Sequence, residues 1–159
     1  MTTSPAPDGG SPDRSPAPDG GSPDRRPAAE GPRREARERA LSLLYESEIK
    51  HVPVSQVIEA LSAPPDPFAL ALVDSVASGQ DRIDKLVTEA SVGWEIDRMP
   101  VLDRTVLRLG TAELVDFPQT PVAVVIDEAV ELAKRFSTEQ SGGFVNGVLA
   151  TIAHEVRPA

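Results

Sequence analysis

The sequence has no cysteine, which excludes disulfides and thiolate-held metal. No apolar run approaches the ~20 residues needed to cross a bilayer. The first residues lack the basic and then apolar regions of a secretory signal, so a cytoplasmic protein is expected. Surplus positive charge is missing too: 16 Lys and Arg stand against 25 Asp and Glu, for a net charge of −9. Such a balance opposes nucleic acid overall, so any RNA contact must be a local basic patch on an acidic body. Catalytic signatures are also absent. His51 and His154 lie far apart near expected helix ends, without HExxH or GxSxG around them. A histidine in that position usually complements the helix dipole. Gly142-Gly143 precedes a helix but lacks the Lys and Ser/Thr of a phosphate loop. Glu128 and Glu131 are read as acids on a solvated helix face. No catalytic residue, cofactor or metal site is expected.

What is present is unevenly placed. Residues 1–32 hold 8 of the 16 Pro and 5 of the 11 Gly, and SPAPDGGSPDR at Ser4–Arg14 recurs unchanged at Ser15–Arg25. An 11-residue period is compatible with a right-handed coiled coil, but three prolines per repeat forbid helix. This composition buries too little apolar surface to offset its ordering entropy, so 1–32 is read as a disordered tail. Deleting residues 1–31 is therefore expected to leave the melting temperature unchanged; a clear fall in a thermal melt would mean the tail is docked. Without the tail the charge is still about −7.

Residues 33–157 are read as the folded domain, all-α, a bundle of about seven helices. Ala36, Ala40, Leu43, Leu44 and Ser47 follow a three-and-four spacing up to Lys50, and Pro53 ends that helix. Val54, Val57, Ile58 and Leu61 suggest a short second helix before Pro64-Pro65. Asp66-Pro67 reads as a cap and a first-turn proline opening a third, which Gly79 separates from a fourth through Ile83, Leu86, Val87 and Ala90. Beyond Gly93-Trp94 and Pro100, Leu102, Val106, Leu109 and Leu114 share a face. Thr120-Pro121 reads as another cap-plus-proline start, and Ser137 with Gln140 as a capping box before the last helix. Only Val122–Ile126 is strongly β-branched, and its proline start favours helix.

The chemistry lies in Arg33-Arg34-Glu35-Ala36-Arg37-Glu38-Arg39, four guanidiniums in seven residues. Arg33 and Arg37 are four apart and share a helix face. Arginine suits phosphate because its planar fork donates paired hydrogen bonds and stacks on bases. The alternative is a solvated face with ordinary pairs such as Glu35 with Arg39. Yet a helix N-terminus is already electropositive, which disfavours arginines there for structure alone. In Phe144-Val145-Asn146-Gly147, Gly147 is read as a close helix contact. Asn146 is either a satisfied buried amide or a ligand-facing one. Tyr45 is either a polar-tipped core residue or part of a contact surface.

Taken together, Arg33-Arg34 to Arg37, Leu44-Tyr45, Leu102-Asp103-Arg104, Thr120-Pro121, EAVELAK at Glu128–Lys134 and FVNGVL at Phe144–Leu149 resemble the NusB family. The last two are the most specific, and the likeness spans 33 to about 157. It implies two packed helical subdomains and no catalysis. It implies binding to boxA RNA of nascent ribosomal RNA leaders, jointly with the ribosomal protein NusE, within the complex that keeps RNA polymerase from premature termination. Carried onto this chain, Arg33, Arg34, Arg37, Phe144 and Asn146 are implied to meet RNA, and Tyr45, Asp103 and Arg104 to lie at the NusE contact. A basic ribosomal partner suits an acidic body.

The chain departs from the family pattern at Glu35, where a further Arg is frequent, and at Gly143, where a basic residue is usual. Asp127 stands for the usual Asn and Ala150 for the usual acid. The first two remove charge from the RNA side, so strong dependence on the partner is expected. Two other readings stand beside this one. One is a protein-only helical adaptor. The other is the accessory domain of an RNA cytosine methyltransferase, which the absence of a catalytic Cys disfavours.

Overall fold

The computed structural model describes residues 30–158 and Thr3. The duplicated segment 4–25 lies outside the described residues. Among the described residues seven α-helices follow in order: α1 Glu30–Lys50, α2 Val54–Glu59, α3 Pro67–Ser78, α4 Gln80–Ala90, α5 Val101–Asp116, α6 Val122–Phe136 and α7 Glu139–Val156. A single 3-10 turn, Ile96–Arg98, precedes α5, and no strand occurs among the described residues. The all-α bundle read from the sequence is the observed fold.

Local chemistry sets most boundaries. His51 takes a left-handed φ of 55° after α1, and Pro53 caps α2. The Asp66 carboxylate accepts from the Phe68 amide at 2.8 Å, with Pro67 in the first turn, as expected. Gly79 ends α3 and caps α4.

Other boundaries differ from expectation. Helix α1 starts at Glu30, so the last residues of the tail segment are already helical, with Pro32 in the first turn, where proline is favoured. The first amides of a helix have no intrahelical acceptor, so the N–H that Pro32 lacks costs little there. Pro121, not Thr120, occupies the cap position of α6; Thr120 is buried and its carbonyl accepts from Arg157. The capping box is Thr138 with Ser141, one residue beyond the expected pair: the Ser141 amide donates to Thr138 Oγ1 at 3.1 Å. FVNG thus lies in the second turn of α7.

Helices α1, α2 and α3 pack as one group and α4 to α7 as another, and α5 joins them by touching α1, α3, α4, α6 and α7. One apolar core runs through both groups, from Leu43 and Leu72 through Val106 and Leu107 to Val145 and Ile152. Helix α5 is buried on nearly all sides, from Thr105 through Leu114, and takes Arg108 and Glu113 inside with it.

The glycine that permits a close helix approach is Gly110. A methyl group there would lie 2.7 Å from Leu149 Cδ1, whereas Gly147 faces open space. Gly110→Ala is expected to destabilise by about 1–3 kcal/mol through overpacking, read as a lower urea midpoint. An unchanged midpoint would mean α7 can give way without cost.

Candidate nucleic-acid interface

The four arginines of α1 divide by the direction in which the helix turns them. Arg33 is exposed, with its guanidinium 5.1 Å from the centre of the Phe68 ring. Arg37 approaches the same ring at 5.5 Å, and Phe68 meets Phe117 edge-on at 5.7 Å. Aromatic faces attract such cations.

Arg37, read from the sequence as an RNA contact, is only 4% exposed. Its Nε donates to both Glu113 oxygens, at 3.0 and 3.1 Å, and Nη2 donates to Oε1. Phosphate cannot reach it while that pair is closed, so its task in this structure is to tie α1 to α5. Arg34 is half-buried and forks onto Glu128 of α6, with both bonds at 3.0 Å. Glu128, read as a solvated acid, is buried. Arg39 is exposed and forms no ion pair among the described residues; the Glu35–Arg39 pair of the alternative reading is absent, and Glu38 pairs with Arg135 of α6. Of the four arginines, the directly accessible ones are therefore Arg33 and Arg39.

The FVNG segment presents Phe144 half-buried and Asn146 exposed. Asn146 is thus not a buried amide. The Phe144 ring leans on Trp94 at 6.0 Å and 55°. In the sequence Gly93-Trp94 reads as a break between helices; an indole beside a turn glycine is the signal it offers.

The expected partner residues also separate. Tyr45 is 37% exposed and lines an open groove of about 510 Å³ with Leu41, Leu102, Phe136 and Arg39. Asp103 is buried instead, and accepts from Ser137 Oγ and, at 3.0 Å, from Ser141 Oγ. Its carboxylate fastens the α6–α7 turn rather than facing outward. Arg104 donates to Glu48 at 3.2 Å, and Glu48 also receives Arg108. Arg108 forks onto Asp84 at 2.8 and 3.0 Å. Burial opposes the Arg108 charge, but Asp84 and Glu48 outweigh it and hold its pKa above the ordinary arginine value. The cluster ties α1, α4 and α5 together.

Residues 34–154 match the NusB family. The chain belongs to the NusB family. It is 43% identical over 136 residues to the transcription antitermination protein NusB of Streptomyces avermitilis, covering 80% of this chain and 94% of that one. In structure it resembles NusB of T. maritima, with a TM-score of 0.73 and 36% identity over 79% of this chain and 93% of the other. It also resembles a chain in a crystal structure of the antitermination factors NusB and NusE in complex with dsRNA. There the TM-score is 0.68 and the identity 29%, over 79% of this chain and 98% of that one. The NusB match begins at Arg34, so the duplicated segment lies outside it. No helix among the described residues is long and apolar enough to cross a membrane.

Proposed function

We propose that this NusB-family chain is a cytoplasmic transcription antitermination factor. It binds boxA-type RNA of ribosomal RNA leaders together with NusE, and helps RNA polymerase pass premature terminators. The observation that carries this is the family match over nearly the whole folded domain, joined to exposed cations on α1. The structural relative captured with NusE and dsRNA supports both partners.

In this reading Arg33 meets phosphate directly, and Phe144 and Asn146 meet bases. Arg34 joins by exchanging Glu128 for a phosphate oxygen. Arg37 braces α1 from inside. Tyr45 and its groove receive NusE, with Asp103 and Arg104 holding the surrounding helices in place. The acidic body disfavours RNA, and a cationic ribosomal protein supplies the missing charge.

Salt titration of RNA binding by the heterodimer tests this. Arg33→Ala and Arg34→Ala are each expected to weaken binding and to flatten the log–log salt slope by ~0.7, one phosphate contact on a single strand. Unchanged slopes in both would favour a second reading, a protein-only adaptor. That reading draws on Arg34 and Arg37 being already committed to Glu128 and Glu113, and on Gly143 offering no side chain.

A further inference from the structure

We propose that Trp94 is a base-stacking residue, forming with Phe144 a two-ring shelf that holds one unpaired base of the bound RNA. This rests on the RNA-binding function proposed above and adds a recognition element that the sequence pattern did not single out.

Trp94 is the only tryptophan in the chain, and 54% of it is exposed. Leaving so large an apolar ring in water is costly, and its position is not the accident of a loose loop. The Trp94 amide closes a turn onto the Ser91 carbonyl at 3.0 Å, and Gly93 takes a φ of 86° that side-chain-bearing residues rarely adopt. Ser91 itself is buried, whereas Val92 beside it is 91% exposed. The turn is anchored at its root and holds its apolar side chains outward.

The neighbouring surface suits a flat ligand. Phe144 supports the indole at 6.0 Å and 55°. Next to Phe144 on α7, Gly143 and Gly147 have open space where a side chain would project. A planar ring can approach the helix surface there. Asn146, exposed further round α7, carries both a donor and an acceptor. Arg98 is close in sequence and largely exposed, with a 3.5 Å contact to Glu95.

Charge favours a base over a phosphate as the occupant. On a chain of net −9, the exposed acids Glu95, Asp97 and Glu139 outnumber the exposed Arg98 and Lys134 around these elements and disfavour phosphate. Stacking draws on the π-face, which carries no net charge, and so tolerates that field. An acidic protein gains RNA affinity here without adding cations.

The experiment uses the full chain with NusE and a fluorescently labelled single-stranded boxA-type oligoribonucleotide. A fully paired duplex of the same sequence is the comparison. Binding is followed by the anisotropy of the label, and Trp94 emission is read separately on the complex. The single strand is expected to quench Trp94 strongly and the duplex weakly. Trp94→Ala should weaken single-strand binding about 5- to 150-fold, the loss of one base–aromatic stack, while Trp94→Phe keeps most of the affinity. Because over half of the indole is exposed, the Trp94→Ala melting temperature should fall only slightly, and a cooperative melt separates lost contact from lost fold. RNA that binds by anisotropy, with emission and Trp94→Ala affinity both unchanged, overturns the shelf and leaves the proposed function standing. Quenching by NusE alone, with no further change on adding RNA, makes it a protein contact and also overturns the inference. No anisotropy change with any RNA removes the function and the shelf together.

Discussion

Glu113→Ala is expected to lower the stability of this protein by about 3–5 kcal/mol, the usual cost of stranding a buried charge. Both side chains of the Arg37–Glu113 pair are 4% exposed. Removing the carboxylate leaves a guanidinium that can neither release its proton nor reach water without opening the α1–α5 contact. For a domain of this size the loss corresponds to a fall of roughly 10–20 °C in melting temperature. The partner change, Arg37→Ala, is expected to act in the same direction. Combining Arg37→Met with Glu113→Leu should recover most of the loss, because apolar groups of similar volume avoid the desolvation penalty altogether. Thermal melts of Arg37→Met, Glu113→Leu and their combination form a closed cycle. If the singles melt like the parent, the pair is not buried in solution. The result also bears on function: weak RNA binding by Arg37→Ala reports a loosened α1 before it reports a lost phosphate contact. Arg33 is the cleaner probe, since it is exposed and not part of that pair.

Arg157→Ala is expected to cost about 2–3 kcal/mol, from a residue just beyond the last helix. Its Nε donates to the Leu114 carbonyl at 2.8 Å. Nη2 donates to Glu113 and Phe117 at 3.1 and 2.7 Å, and Nη1 to Thr120. The last carbonyls of a helix have no intrahelical donor, and here one guanidinium serves the end of α5 and the loop into α6. A cation at a helix C-terminus also meets the negative end of the dipole. Arg157→Lys should recover only part of the loss, because an ammonium cannot reproduce a planar fork directed at four acceptors. Equal denaturation midpoints for Arg157→Ala and the parent would show that water replaces these bonds freely.

Particular residues show how far the sequence could be read. Asp66-Pro67, Gly79 and Pro53 announced helix boundaries because caps and breakers act on their immediate neighbours. The same reasoning missed Thr138–Ser141 by one residue, since Ser137 and Thr138 are chemically alike and only backbone geometry chooses between them. On α5 the periodic apolar residues were visible, but burial of the whole circumference was not. A helix wrapped by five others has no solvent face, and its charged residues give no sign in the chain of which partner awaits them.

The arginine cluster makes the point most directly. Composition alone marked four guanidiniums on one short stretch and an acidic body around them, and the motifs Glu128–Lys134 and Phe144–Leu149 marked the family. Those conclusions depend on identity and spacing, which the chain carries by itself. Which arginine faces solvent and which is spent inside depends on Glu113 and Glu128, 76 and 94 positions away from their partners. The same holds for Trp94 and Phe144, which meet only once α4 and α7 pack. Pairing between distant residues is set by how the helices pack in three dimensions, so the tertiary structure alone decided it.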